Sequence, residues 1–258
     1  MRRTGWLVVR VFLIVAAAGL AVCAVQARAQ EKEQPSSVLP NLNKLTDAEK
    51  AAGWKLLFDG KTTAGWRNFK KQDISKGWQI IDAALCRVDK TAGDIVSDGQ
   101  YDNFVLELDY KVPPGANSGI MYRVSEDEAR ISRTGVEFQI LDNTDPHGDP
   151  QKSGWAYALY HPPTDPKTGQ PLDATRPIGQ WNHIKLVCDG PHVEHWMNGV
   201  LYCKYELDSD DFNQRVAQSK FAKMPKFAKN ASGHLALQGD HGNVCFANIK
   251  LLPLPPRP

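Results

Sequence analysis

The chain holds no CxxC pair, no internal repeat, and no long apolar run beyond its first 25 residues. The missing cysteine pairs leave no ready metal or redox motif in the spacing. The missing later apolar run leaves residues 6–25 as the sole candidate to enter a membrane. Excess positive charge is also scarce. Arg2, Arg3, Arg10 and Arg28 all lie within residues 1–29, which contain no acid, so without them the formal charge moves from +2 to about −2. Nothing then suggests a nucleic-acid partner.

Those first 29 residues read as a secretory signal peptide: basic Arg2 and Arg3, an apolar run from Trp6 to Val25, and a small-residue "ARA" from Ala27 to Ala29. Arg10 interrupts the run and argues against a retained anchor. Val22 stands where a lipoprotein box wants a small residue. The expectation is a secreted or periplasmic protein with no stable membrane insertion after cleavage. Residues 30–50 read as a polar linker with a short helix that Thr46 caps and Gly53 ends, and residues 51–255 as one domain. Cys86, Cys188, Cys203 and Cys245 remain; they permit two disulfides, but each sits in an apolar strand-like run, and buried thiols are expected.

From Trp54 onward, about ten short β-branched or aromatic segments alternate with Gly, Pro, Asp and Asn. Asn198-Gly199 marks a type I′ hairpin. One late helix is expected from Ser209 or Asp210 to about Lys220. The pattern predicts an all-β fold, a two-sheet antiparallel jelly-roll sandwich with one or two short helices. Residues 144–180 are rich in Pro, Gly and Asp yet carry Trp155, Tyr157 and Tyr160, which predicts an ordered lid rather than a disordered tail.

Four clusters carry candidate chemistry. In "GVEFQILDN", Glu137 and Gln139 share one strand face and Phe138 and Ile140 the other. With Asp142 they resemble the three-acid pattern of jelly-roll endoglucanases, although an amide replaces the middle acid; a solvated polar face is the alternative. In "GHLALQGDHG", Gln238 shares a face with His234, and His241 on the following turn is a base or a metal ligand, or only part of a stabilised turn. In "PPGANSGIMYRV", Asn117 opens a strand and Arg123 either reaches solvent or faces a polar cleft. In "HVEHWMNG", Glu194 and Trp196 share a face, where Trp196 stacks on a sugar or packs in a core.

Taken in order, "WKLLFDGKTTAGW", "PPGANSGIMYRV", "VEFQILDN", "YALYH", "GQWNHIKLVCDG", "VEHWMNG" and "GHLALQGDHGNVCFANIKL" resemble the 3-keto-disaccharide hydrolase family from about Gly53 to Leu254. The resemblance implies a concanavalin A-like jelly roll of the lectin and glucanase type, acting on glycosides already oxidised at C3. It implies a small carbohydrate substrate, lost by C2-proton abstraction and β-elimination, with water then adding back. Such chemistry needs a base and a stabiliser for the enolate oxygen. His241 or Glu137 is the expected base, and Arg123 and Gln139 the expected stabilisers. Asn117, Gln238, Asp142 and Glu194 are expected to contact substrate, with Trp155, Tyr157 and Trp196 stacking on it. A divalent metal held by Glu137, His241, His147 or His161 is left open, since no ligand spacing specifies one. Two rival readings are a non-catalytic carbohydrate-binding jelly roll and a conventional endoglucanase.

Overall fold

The computed structural model describes residues 42–146, 151–239 and 242–256. The expected leader, most of the expected linker, His147 and the Asp240-His241 pair lie outside the described residues.

Two antiparallel sheets stack face to face. The larger contains β1 (Lys55–Leu56), β3 (Trp78–Ile81), β4 (Ala84–Arg87), β6 (Phe104–Lys111), β9 (Asn182–Asp189), β10 (His192–Met197), β11 (Val200–Glu206) and β13 (Cys245–Pro253). Its order is β11-β10-β9-β6-β13-β4-β3, with β1 also paired to β13. The smaller contains β2 (Trp66–Asn68), β5 (Ile95–Tyr101), β12 (Gly233–Leu237), β7 (Asn117–Val124) and β8 (Val136–Leu141), in that spatial order. This is the jelly-roll sandwich expected from the sequence. Among the described residues, no helix is long and apolar enough to cross a membrane.

The strands follow their period. On β9, Asn182, Ile184, Leu186 and Cys188 are buried while His183, Lys185, Val187 and Asp189 are half-buried. The smaller sheet differs: β7 and β8 bury residues on both faces. Ile120, Tyr122, Phe138 and Ile140 point into the main core between the sheets. Met121 instead joins Val96, Val124, Ala236 and Ile131 in a small apolar cluster. The outer face of this sheet is therefore covered in part, which shelters any polar group beside that cluster from bulk water.

Two short helices are present. α1 (Asp47–Ala52) starts with a capping box between Thr46 and Glu49 and ends at left-handed Gly53, φ 92°. α2 (Asp210–Gln218) is capped by the Ser209 hydroxyl. Asn198 and Gly199, with φ of 48° and 82°, make the expected I′ turn between β10 and β11.

Two expectations need correcting. Cys86 and Cys245 stand directly opposite each other on β4 and β13 and form a disulfide, while Cys188 and Cys203 are buried free thiols. The segment read as a lid is ordered where described, but its first part lies along the open edge of β8 instead of over a face. Gln139 N donates to Trp155 O (3.0 Å), Gly154 N to Gln139 O (2.8 Å) and Tyr157 N to Glu137 O (3.0 Å). Those backbone groups of β8 would otherwise be an unpaired sheet edge.

Candidate active site

Glu137 and Gln139 stand on the outer face of the smaller sheet, as alternation on β8 requires, and are 7% and 1% exposed. They form the floor of an open cleft of about 490 Å³. Asn117 from β7, Gln238 after β12 and Tyr157 from the edge segment complete the floor and one wall. Asp94, Gly239, Arg130, Ser132 and Lys220 complete the rim. The volume and the mixture of polar groups suit a ligand the size of one or two sugars.

Gly119 explains how a glutamate fits there. It pairs with Gln139 across the strands, and Met121 pairs with Glu137. A methyl group at Gly119 would lie 2.9 Å from both Cγ and Cδ of Glu137 and would overlap its Oε1. The missing side chain is thus the space that the Glu137 carboxylate occupies.

The underside of the floor is fixed by a neutral histidine. Phe138, between Glu137 and Gln139 but facing the core, stacks on His195 with centroids 4.7 Å apart. His195 is wholly buried, and burial pulls its pKa down to about 3. Its Nδ1 lies 3.2 Å from the Gly154 carbonyl, which can only accept, so Nδ1 carries the proton. Nε2 then accepts from the Tyr205 hydroxyl at 3.0 Å, and Tyr205 accepts from Tyr122 at 2.9 Å. This chain ties the back of β8 to the larger sheet.

The far wall is held by Arg87. Its buried guanidinium donates to Gly239 O (3.1 Å) and Gly242 O (3.0 Å), the carbonyls on either side of the Asp240-His241 pair. Gly239 N donates to Asp94 Oδ1 at 3.0 Å. A side chain at Gly239 would run into the Gly93 backbone, so this close approach requires glycine. Arg87 follows Cys86, and its own N–H donates to Val244 O at 2.9 Å, so the disulfide and the arginine secure neighbouring points of the same turn.

Lys220 comes from a different part of the chain, the 3-10 turn Lys220–Lys223 after α2. Its ammonium sits 3.9 Å from the Tyr157 ring centroid, over the ring face. With Arg130 it brings positive charge to a cleft whose floor holds a carboxylate.

Five of the expected site residues, Glu137, Gln139, Asn117, Tyr157 and Gln238, therefore line one cleft. Five others do not. Arg123, at a left-handed φ of 53°, sits where the β7–β12 register slips, and that break in alternation turns it away from Gly119 and Met121. Its guanidinium donates to Asp102 O (2.8 and 3.1 Å) and Gly190 O (2.8 Å), tying two turns together. Asp142 accepts from Gly115 N at 3.0 Å and from Thr144 N and Oγ1 at 2.8 and 2.6 Å. Burial opposes its ionisation, but those hydrogen bonds outweigh it and hold the carboxyl below its usual range. Glu194 and Trp196 lie on the outer face of the larger sheet, where Trp196 Nε1 donates to Glu194 at 2.7 Å and Lys185 covers the indole at 4.1 Å. Trp155 lines a separate cavity. His241 lies outside the described residues.

Asp94, Arg130 and Lys220 were not legible in the sequence reading. Asp94 precedes β5, whose "IVSDGQY" lacks a clear alternation. Arg130, seven residues before Glu137, precedes a short 3-10 turn, and Lys220 opens another far along the chain; neither turn has a periodic signal. As for a metal, among the described residues no three His, Cys, Asp or Glu side chains are grouped to hold one. His161 is taken up by the Pro162 carbonyl at 2.8 Å and the Trp155 ring at 5.4 Å. The described side chains do not make a metal site.

Comparison with known proteins adds three findings. The family model described as a 3-keto-alpha-glucoside-1,2-lyase-like domain matches residues 53–252. The chain is similar to a 3-keto-disaccharide hydrolase of Bacteroides thetaiotaomicron, 28% identical over 92% of this chain and 95% of that protein. It is also similar to the crystal structure of a candidate glycosyl hydrolase from Parabacteroides distasonis. That structure has a TM-score of 0.73 and 32% identity, covering 83% of this chain and 100% of the other. A second structure from the same organism, with the same description, has a TM-score of 0.53 and 26% identity, covering 78% of this chain and 99% of the other.

Proposed function

Since the chain belongs to the 3-keto-alpha-glucoside-1,2-lyase-like domain family, we propose that it is an exported carbohydrate-active enzyme that cleaves 3-keto-glucosides by elimination and rehydration. The observation that carries this reading is the cleft itself. It holds a buried carboxylate, Glu137, with Gln139 on the same strand face, and Lys220 and Arg130 line the same cleft. That set matches what abstraction of a proton next to a carbonyl requires.

The C3 carbonyl acidifies the C2 proton. Glu137 takes that proton, and the C–H electron pair moves into an enolate with its charge on the C3 oxygen. Lys220, Arg130 and the Gln139 amide stabilise that charge, the part first expected of Arg123. The enolate then collapses: the C3 carbonyl re-forms, C1=C2 forms, and the C1–oxygen bond breaks. The leaving alcohol receives a proton back from Glu137. Water adds across C1=C2, hydroxyl to C1 and hydrogen to C2, and the net result is hydrolysis. Asn117, Gln238 and Tyr157 hold the sugar. His241 follows the cleft wall in sequence and is the rival base. The basic-apolar leader supports export, as does the Cys86–Cys245 disulfide, a bond that persists in oxidising compartments.

One observation favours a second reading. Asp94 lines the same cleft as Glu137, and a conventional glycosidase needs two carboxyl groups. The test is to incubate the protein with a 3-keto-α-glucoside and with the parent glucoside, using wild type, Glu137→Gln and His241→Ala. Turnover of the oxidised sugar alone, lost in Glu137→Gln, is expected. Reducing sugar released from the parent glucoside would favour the glycosidase. Binding with turnover of neither would leave a carbohydrate-binding module.

A further inference from the structure

Trp155 and Tyr157 alternate with Ala156, which pairs with Phe138 and is buried in the core. Both aromatic side chains therefore leave this edge segment on the side away from Ala156, each half-buried and packed in part against the core. Tyr157 lines the cleft described above, whereas Trp155 lines a second cavity of about 360 Å³. Asn143, Lys152, Gln170, Asp173 and Tyr202 are among its other walls. The two cavities share a support. Trp155 O accepts from Gln139 N, and Asn143 stands in the turn that follows β8, four residues past Gln139. The segment bearing Asn143 and Asp173 is itself well fixed. Asn143 donates to Asp173 at 3.0 Å and accepts from Ser153 N at 2.8 Å, and Lys152 donates to Asn143 O at 2.9 Å.

We propose that this cavity is a second saccharide subsite, which receives the leaving-group end of an oligosaccharide whose oxidised sugar sits over Glu137. An indole face suits the C–H face of a pyranose, and amide, carboxylate and ammonium groups around it suit hydroxyls. The chemistry is that of a neutral sugar, since Lys152 and Asp173 bring one charge of each sign. The subsite rests on the reading of the cleft as a sugar site but not on the elimination chemistry. It makes the enzyme selective for leaving groups longer than one sugar, at a place separate from the reacting atoms.

The experiment is calorimetric binding of maltose and maltotriose, neither of which has to be turned over. Wild type is expected to bind maltotriose about tenfold tighter, a difference of about 1.4 kcal/mol. Trp155→Ala and Gln170→Ala should bring maltotriose down to the affinity of maltose, while Trp155→Phe keeps most of the gain. Gln170 is exposed, so its variant reads the subsite even if loss of the indole disturbs the edge segment. Equal affinity for both lengths in wild type, no measurable binding of either, or a gain that survives both alanine variants would overturn the proposal. If 3-keto-glucosides are not turned over while the length dependence stands, the elimination reading fails and the subsite does not.

Discussion

Gly119→Ala adds one methyl group directly beneath the Glu137 carboxylate. Gly119 does not need a left-handed backbone, so alanine is acceptable to the main chain; the conflict lies with Glu137, whose Cγ and Cδ would both be 2.9 Å from the new carbon. Ordinary contacts between carbons lie at about 3.5–4.0 Å. Glu137 must therefore move by most of an ångström, and it is only 7% exposed, with little room to do so. Two effects follow. Overpacking of this kind costs about 1–3 kcal/mol of stability. A base displaced by about 1 Å loses on the order of 100-fold in rate. The assay is kcat/KM on a 3-keto-α-glucoside beside urea denaturation of the same variant. The cause is isolated by repeating Gly119→Ala in a Glu137→Ala background, where the clash is gone and the stability cost should vanish. A folded Gly119→Ala protein with full activity, or an equal stability loss in both backgrounds, would refute the reasoning.

Other tests follow from the same contacts. Replacing Cys86 and Cys245 by alanine opens a loop of 159 residues and should lower stability by about 2–4 kcal/mol, read by denaturant unfolding. Unreduced, denatured protein comprising residues 30–258 should titrate as two thiols, Cys188 and Cys203. Arg67 pairs with Glu126 through two 2.8 Å hydrogen bonds, which pull the Glu126 pKa from 4.5 to about 2. Because the folded value is the lower one, the pair's contribution is complete above pH 4.5 and lost as pH falls toward 2. Arg67→Met should thus cost about 1–2 kcal/mol at pH 7 and little at pH 2, as followed by thermal unfolding. Arg87→Met removes both bonds to Gly239 and Gly242 and should cost at least about 1.5–3 kcal/mol. It should also lower kcat/KM, because Gly239 is cleft wall; unchanged kinetics would remove Arg87 from any positioning role.

Alternation and turn chemistry carried most of the fold. Glu137 and Gln139 could be placed on one face from period two alone, and Asn198-Gly199 and the Thr46 cap were local signals. What escaped depended on partners distant in the chain. β5 lies between β2 and β12, yet "IVSDGQY" carries no alternation of apolar and polar residues, and its Asp98, Gly99 and Gln100 are exposed; Asp94 was missed with it. The disulfide needed the β4–β13 register, and Lys220 needed the docking of a 3-10 turn beside Tyr157. Arg123 was misplaced by a bulge, which no spacing reveals. Trp196 followed its strand's alternation faithfully, but on the outer face of the other sheet. The lid reading failed for a related reason: whether residues 153–160 cover a face or extend an edge is decided by the unpaired backbone of β8.

Labelling the substrate tests the central claim most directly. A 3-keto-α-glucoside carrying deuterium at C2 should be turned over more slowly than the unlabelled sugar, and the product should carry hydrogen from solvent at C2. Turnover at the full rate with deuterium retained at C2 would mean that the C1–oxygen bond breaks without proton abstraction, and Glu137 would then not be the base of an elimination.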